Sequence, residues 1–158
     1  VNDGLKREIR QRRPFGSPAE EALLNLFRTA AVLEAGEARF FRRFELTPTQ
    51  YNALRILRGA RSGTLTCSEV GERMVKPVPD VTRLLDRLQA KGLAFRSRDQ
   101  RDRRVVKVGI SEAGLALLTE IDRPLADWID ERLGHVSDGD LRRLSALLER
   151  ARAPAEPD

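Results

Sequence analysis

The chain has 158 residues, 41% hydrophobic and 34% charged, with a formal net charge of +5 and a mass of 17.8 kDa. That length fits one domain, or a small reading domain embedded in helices that pair with a second copy. No apolar run approaches the roughly 20 residues of a membrane-spanning helix, and the single Cys67 and single His135 exclude an internal disulfide and give no metal-ligand spacing.

Residues 1–16 carry Lys6, Arg7, Arg10, Arg12 and Arg13 without the apolar stretch of a secretory signal. A soluble, cytoplasmic protein with no membrane partner is expected. The basic segment reads as a flexible arm adding phosphate contacts or as a merely disordered stretch.

Helix starts are legible. Ser17-Pro18-Ala19-Glu20 and Thr47-Pro48-Thr49-Gln50 each combine an N-cap hydroxyl, proline at the first helical position and Glu or Gln at the third. Thr66-Cys67-Ser68-Glu69 repeats the pattern without proline, and Ser111 and Ser137 are weaker caps. The first helix, about 17–44, sets Leu23, Phe27, Ala30, Ala31, Glu34, Ala38 and Phe41 near one stripe; the second, about 48–59, buries Tyr51, Leu54 and Leu57 or Ile56.

A short third helix, about 67–74, is broken by Lys76-Pro77-Val78-Pro79 before a fourth runs from Pro79 or Asp80 to Lys91. In this fourth helix Val81, Leu84, Leu85 and Leu88 share a face, which forces Thr82, Arg83, Asp86 and Ala90 to the opposite one. After Gly92 the period falls to two, giving strands at about 93–98 and 105–110 around a polar tip. Residues 111–134 return to helix with Pro124 inside, where a kink is expected, and Ser137 opens a last helix carrying Leu141, Leu144, Leu147 and Leu148.

Short helix, turn, amphipathic helix and basic hairpin follow one another as in a winged helix-turn-helix, whose second helix enters the major groove. The fold class expected is mainly α with a small β wing. Charge is concentrated there: residues 83–107 carry +6, against −5 for 108–158, which points to a polyanion as the partner of the middle of the chain.

The face of the fourth helix that is free of core duty offers Thr82, Arg83 and Arg87, preceded by Lys76, Pro79 and Asp80. Asp86 is expected to pair with Arg83 and fix its direction; the alternative is acceptance from a cytosine amine. The hairpin reads Arg96-Ser97-Arg98-Asp99-Gln100-Arg101-Asp102-Arg103-Arg104, with five arginines in nine residues. A run of this kind is ordinarily a solvated loop. Behind a helix-turn-helix it suits the negative potential of a narrow minor groove.

Val81-Thr82-Arg83-Leu84-Leu85-Asp86-Arg87-Leu88-Gln89-Ala90-Lys91-Gly92-Leu93, then Asp99-Gln100-Arg101-Asp102-Arg103-Arg104 and Ser111-Glu112-Ala113-Gly114, resemble the MarR (multiple antibiotic resistance regulator) family over roughly 17–150. The resemblance implies a homodimer interlocked through N- and C-terminal helices, with recognition helices in successive major grooves. It divides the chain into a basic arm (1–16), a dimerisation helix (17–46), a DNA-binding domain (47–110), C-terminal dimerisation helices (111–152) and a tail (153–158).

Carried over by motif, Arg104 is the minor-groove reader and Asp102 the residue that orients it, with Arg101 and Arg103 nearer phosphates and Arg98 a further DNA-binding residue of the wing. The chain departs from the family pattern at Lys76-Pro77-Val78-Pro79-Asp80, where polar residues commonly open the recognition helix. A small aromatic or anionic effector is expected in a pocket including Arg43, Phe44 and Tyr51; Phe40, Phe41 and Trp128 are assigned mainly to packing.

Cys67 reads as a small residue at an exposed first turn rather than a redox sensor, and His135 as a helix-end residue facing exposed carbonyls. No catalytic constellation, cofactor motif or metal site is present in the sequence, so an enzyme is not expected. Two classes stay open: a sequence-specific regulator of transcription, expected to be a repressor released by a small molecule, and a nonspecific architectural protein that coats DNA.

Overall fold

A computed structural model describes residues 4–99, 102 and 104–153. The described residues form, in chain order, α1 (Gly4–Glu8), α2 (Pro18–Arg42), α3 (Pro48–Arg58), β1 (Thr64–Thr66), α4 (Cys67–Glu72), α5 (Val81–Ala90), β2 (Ala94–Arg98), β3 (Val106–Ile110), α6 (Glu112–Leu133) and α7 (Asp138–Arg152). The strands make one antiparallel sheet in the order β1-β3-β2. The class is therefore mainly helical with a small wing.

Local chemistry sets the boundaries. The Thr47 and Thr66 hydroxyls accept from the amides of Gln50 and Glu69, whose side chains accept in return from the amides of Thr47 and Thr66, closing two reciprocal capping boxes. Ser17 caps α2 by accepting from the Glu20 amide, while the Glu20 carboxylate accepts from Gly16 instead. Ser111 and Ser137 cap α6 and α7 in the same way through Gly114 and Asp140. α6 continues as one helix through Pro124.

Two elements have no counterpart in the sequence reading. β1 is three residues long, too short to show an alternation. α1 lies where an arm or disorder is expected: Leu5 is buried, and the Glu8 carboxylate accepts from Arg28 of α2 at 2.7 Å.

The core sits between α3, α5, β3 and α6. Leu54, Leu57, Val70, Leu85, Leu88, Val108, Leu118 and Ile121 are all at most 1% exposed. Ile56 and Leu57 are both buried, because α3 is covered on two sides. Cys67, expected at an exposed turn, is half-buried against this core.

One glycine explains a motif. A Cβ on Gly114 would stand 2.3 Å from the Leu93 carbonyl oxygen, so the Ser111-to-Gly114 turn lets α6 start directly against the end of the α5–β2 connection. Ser111 joins these parts, its hydroxyl donating to the Gly92 carbonyl at 2.6 Å and its amide to that of Leu93 at 3.1 Å. The bidentate pair of Arg58 with Asp122, at 2.8 and 3.0 Å, ties α3 to the same helix.

Candidate nucleic-acid interface

α5 carries the first candidate surface. Its N-cap is Asp80, whose carboxylate accepts from the Arg83 amide at 2.8 Å. Asp80 therefore acts on the helix start, where a negative charge also favours the macrodipole. Leu84, Leu85 and Leu88 bury one face, and Thr82, Arg83, Asp86 and Arg87 are exposed on the other. The expected pairing of Asp86 with Arg83 is not the one formed. Asp86 accepts instead from Arg96 of β2, which reaches it sideways because β2 packs against α5.

The turn before α5 is fastened to α2 and α3. Lys76, read from sequence as a DNA contact, lies 3.0 Å from Glu34 and 4.0 Å from Glu37 of α2. The Val75 amide donates to the Asn52 side chain of α3 at 3.0 Å. Pro79 is exposed beside them.

The wing carries the second candidate surface, and its acids shape it. Asp102 accepts from the Arg104 amide at 2.9 Å and donates its own amide to the Asp99 carboxylate at 3.2 Å. The Val105 amide closes on the Asp102 carbonyl at 2.9 Å. Asp102 thus fixes the backbone at Arg104, and Asp99 also pairs with Lys107. Two carboxylates inside an arginine-rich tip satisfy the turn amides, while Arg98 and Arg104 are exposed. Arg101 and Arg103 lie outside the described residues. Lower in the hairpin Phe95 faces Gly109, where an added Cβ would come within 2.5 Å of the ring.

The three residues proposed from sequence for an effector pocket are not gathered in one place. Tyr51 stacks on Phe41 with ring centroids 4.4 Å apart and lines a cavity of about 430 Å³ between α2, α3 and the turn holding Met74 to Lys76. Burial raises the pKa of its hydroxyl above the usual tyrosine value, partly offset by Arg58. Arg43 lines a separate cavity of about 550 Å³ with Arg39, Phe40 and Trp128. Its guanidinium lies 5.0 Å from the Phe40 ring centre and 5.6 Å from that of Phe44. Phe44 packs against the core.

Sequence reading missed Arg96 as the partner of Asp86, Glu34 and Glu37 as the partners of Lys76, and Asp99 as a wing-turn acceptor. Only the last has a local signal, an aspartate three residues before the amide it accepts from.

A helix, a turn, a second helix with a free polar face and a three-stranded wing define a winged helix-turn-helix. The MarR family profile matches residues 44–105. The chain is 38% identical to a MarR transcription factor from Planctomyces limnophilus whose crystal structure covers 86% of this chain and 98% of its own, with a TM-score of 0.66. It is 29% identical over 105 residues to the HTH-type transcriptional regulator MhqR of Bacillus subtilis, spanning 66% of this chain and 71% of the relative. The S. aureus MepR structure, solved as a DNA complex, shares the fold at 21% identity, covering 80% of this chain and 93% of its own with a TM-score of 0.71. The chain belongs to the MarR family. It is a transcriptional regulator with a DNA-binding fold, and its relatives are regulators rather than enzymes.

Proposed function

We propose that the protein reads a pseudo-palindromic operator as a homodimer, represses the adjoining gene and is released by a small molecule. The observation that carries this reading is the pairing of two exposed basic surfaces. These are the outer face of α5 with Thr82, Arg83 and Arg87, and a wing whose Arg104 is set by Asp102. The first suits base edges in the major groove and the second an adjacent minor groove.

Support for a second copy comes from apolar surface left uncovered at both ends of the chain. Phe27 is 63% exposed and Leu147 58%, with Leu23, Val32, Ile129 and Leu144 also exposed. A helix face that is apolar by its periodicity yet uncovered suits an interface. A dimer built on these helices would place two recognition helices about one turn of DNA, roughly 34 Å, apart. Such a regulator acts in the cytoplasm. Arg39 and Arg43 beside Phe40 and Trp128 suit an aromatic acid as effector, which would act by favouring a spacing of the two α5 helices that no longer matches successive grooves.

Selection from a random duplex pool at near-physiological salt tests the reading, because released counterions weaken nonspecific binding first. An inverted repeat with fixed half-site spacing is expected; recovery of no shared motif would favour an architectural DNA-coating protein. Arg83→Ala is expected to cost about 1–3 kcal/mol within the half-site, and Arg104→Ala to flatten preference in flanking A·T-rich positions.

A further inference from the structure

We infer that Arg96 and Asp86 form a positioning pair that fixes the wing relative to the recognition helix. The pair thereby sets the distance on DNA between the half-site and the flanking groove. The inference rests on the DNA-reading role proposed above.

Arg96 stands opposite Val108 in the β2–β3 register, and Val108 is fully buried. Cross-strand partners share a face, so Arg96 starts from the helix-facing side of the sheet, where an apolar residue is the ordinary occupant. Its Nε is buried and has no hydrogen-bond partner among the described residues. A partnerless buried donor is unfavourable, and a residue such as methionine would avoid it. What arginine supplies in return is a charged, directional bond, made by its Nη2 to the Asp86 carboxylate on α5.

The leucine contacts under α5 hold it on the core without direction, and the chain passes from α5 to β2 through a turn whose Gly92 has φ +72. The Arg96–Asp86 bond adds a fixed angle to that connection. It also compensates a carboxylate that shares its face with Thr82 and Arg83 and would otherwise repel phosphates.

The test is the same duplex selection carried out with Asp86→Asn, Arg96→Met and Arg96→Lys beside the wild type, with melting temperature followed in parallel. Asp86→Asn and Arg96→Met are expected to lose about tenfold or more in operator affinity. Both should also blur the distance between half-site and flanking preference, with Asp86→Asn, at an exposed position, melting near wild type. Arg96→Lys keeps the cation and is expected to retain that distance. Wild-type affinity and unchanged half-site-to-flank distance in Asp86→Asn and in folded Arg96→Met would overturn the positioning role. A wild type that selects no motif would remove the proposed operator reading and the pair's role with it. A wild-type motif kept by an Arg96→Met variant that has lost only melting temperature would assign the pair to packing and also overturn the inference.

Discussion

From Pro48 to Ile110 the chain hides most of its large apolar side chains from water, with Leu54, Leu57, Leu65, Val70, Leu85, Leu88 and Val108 all at most 3% exposed and only Val75, Phe95 and Val106 exposed among the described residues, whereas Leu23, Phe27 and Val32 of α2 are 49%, 63% and 56% exposed and α7 buries no residue at all. Both regions are amphipathic, and both have capped helix starts. The difference teaches that helical periodicity specifies a face to be covered and leaves open what covers it. In the reading head the cover is the rest of the chain. Along α2 and α7 it must come from elsewhere, and we propose a second copy.

The sharpest way to break this contrast is to charge the uncovered face. Phe27→Asp combined with Leu147→Asp removes two large apolar contacts, each contributing about 1.5–3 kcal/mol when buried. The proposed dimer is expected to dissociate at micromolar concentration in sedimentation, while far-ultraviolet circular dichroism keeps the helical signal. A dimer that survives would mean that the stripe faces something other than its twin.

The covered side answers to a different change. Leu85→Ala opens a cavity under the recognition helix and is expected to cost about 2–5 kcal/mol in thermal or denaturant unfolding; a loss below 1 kcal/mol would show that the head is loosely packed. Smaller is the overpacking cost of Gly114→Val, about 1–3 kcal/mol, since the new side chain meets the Leu93 backbone. Wild-type stability in that variant would show that the α6 start can move off the wing.

The smallest expected effect depends on pH. Hydrogen bonds from the Thr66 amide and hydroxyl lower the Glu69 pKa. The contribution of this cap is therefore present above the ordinary glutamate value and fades as pH falls through the lowered one. Between about pH 5 and 3 the wild type should lose slightly more melting temperature than Glu69→Gln, and parallel curves would contradict the cap.

Much of this architecture could be read from sequence because its determinants are local. A cap hydroxyl and its N3 partner are three residues apart, so the starts of α2, α3, α4, α6 and α7 stand where Ser17, Thr47, Thr66, Ser111 and Ser137 place them. The polar face of α5 follows from its leucine spacing. What escaped was set by tertiary neighbours. Asp86 has Arg83 one turn before it, yet bonds to Arg96, ten residues on, because β2 folds back alongside. Lys76 meets Glu34 and Glu37, which α2 brings to it from some forty positions upstream. Arg43 and Tyr51, both near the second helix start, end in different cavities because α3 turns away from α2 after Glu45, which has φ 54.

The Ser111 hydroxyl, bonded to the Gly92 carbonyl on one side and to the Gly114 amide on the other, has a mechanical consequence. It welds the first turn of α6 to the end of the recognition helix. Leu118 and Ile121, both fully buried, and the Arg58–Asp122 pair seat the same helix on the core about two turns farther on. Held at two places along its first half, α6 cannot swing about Gly92 without disturbing the close-packed core beneath it.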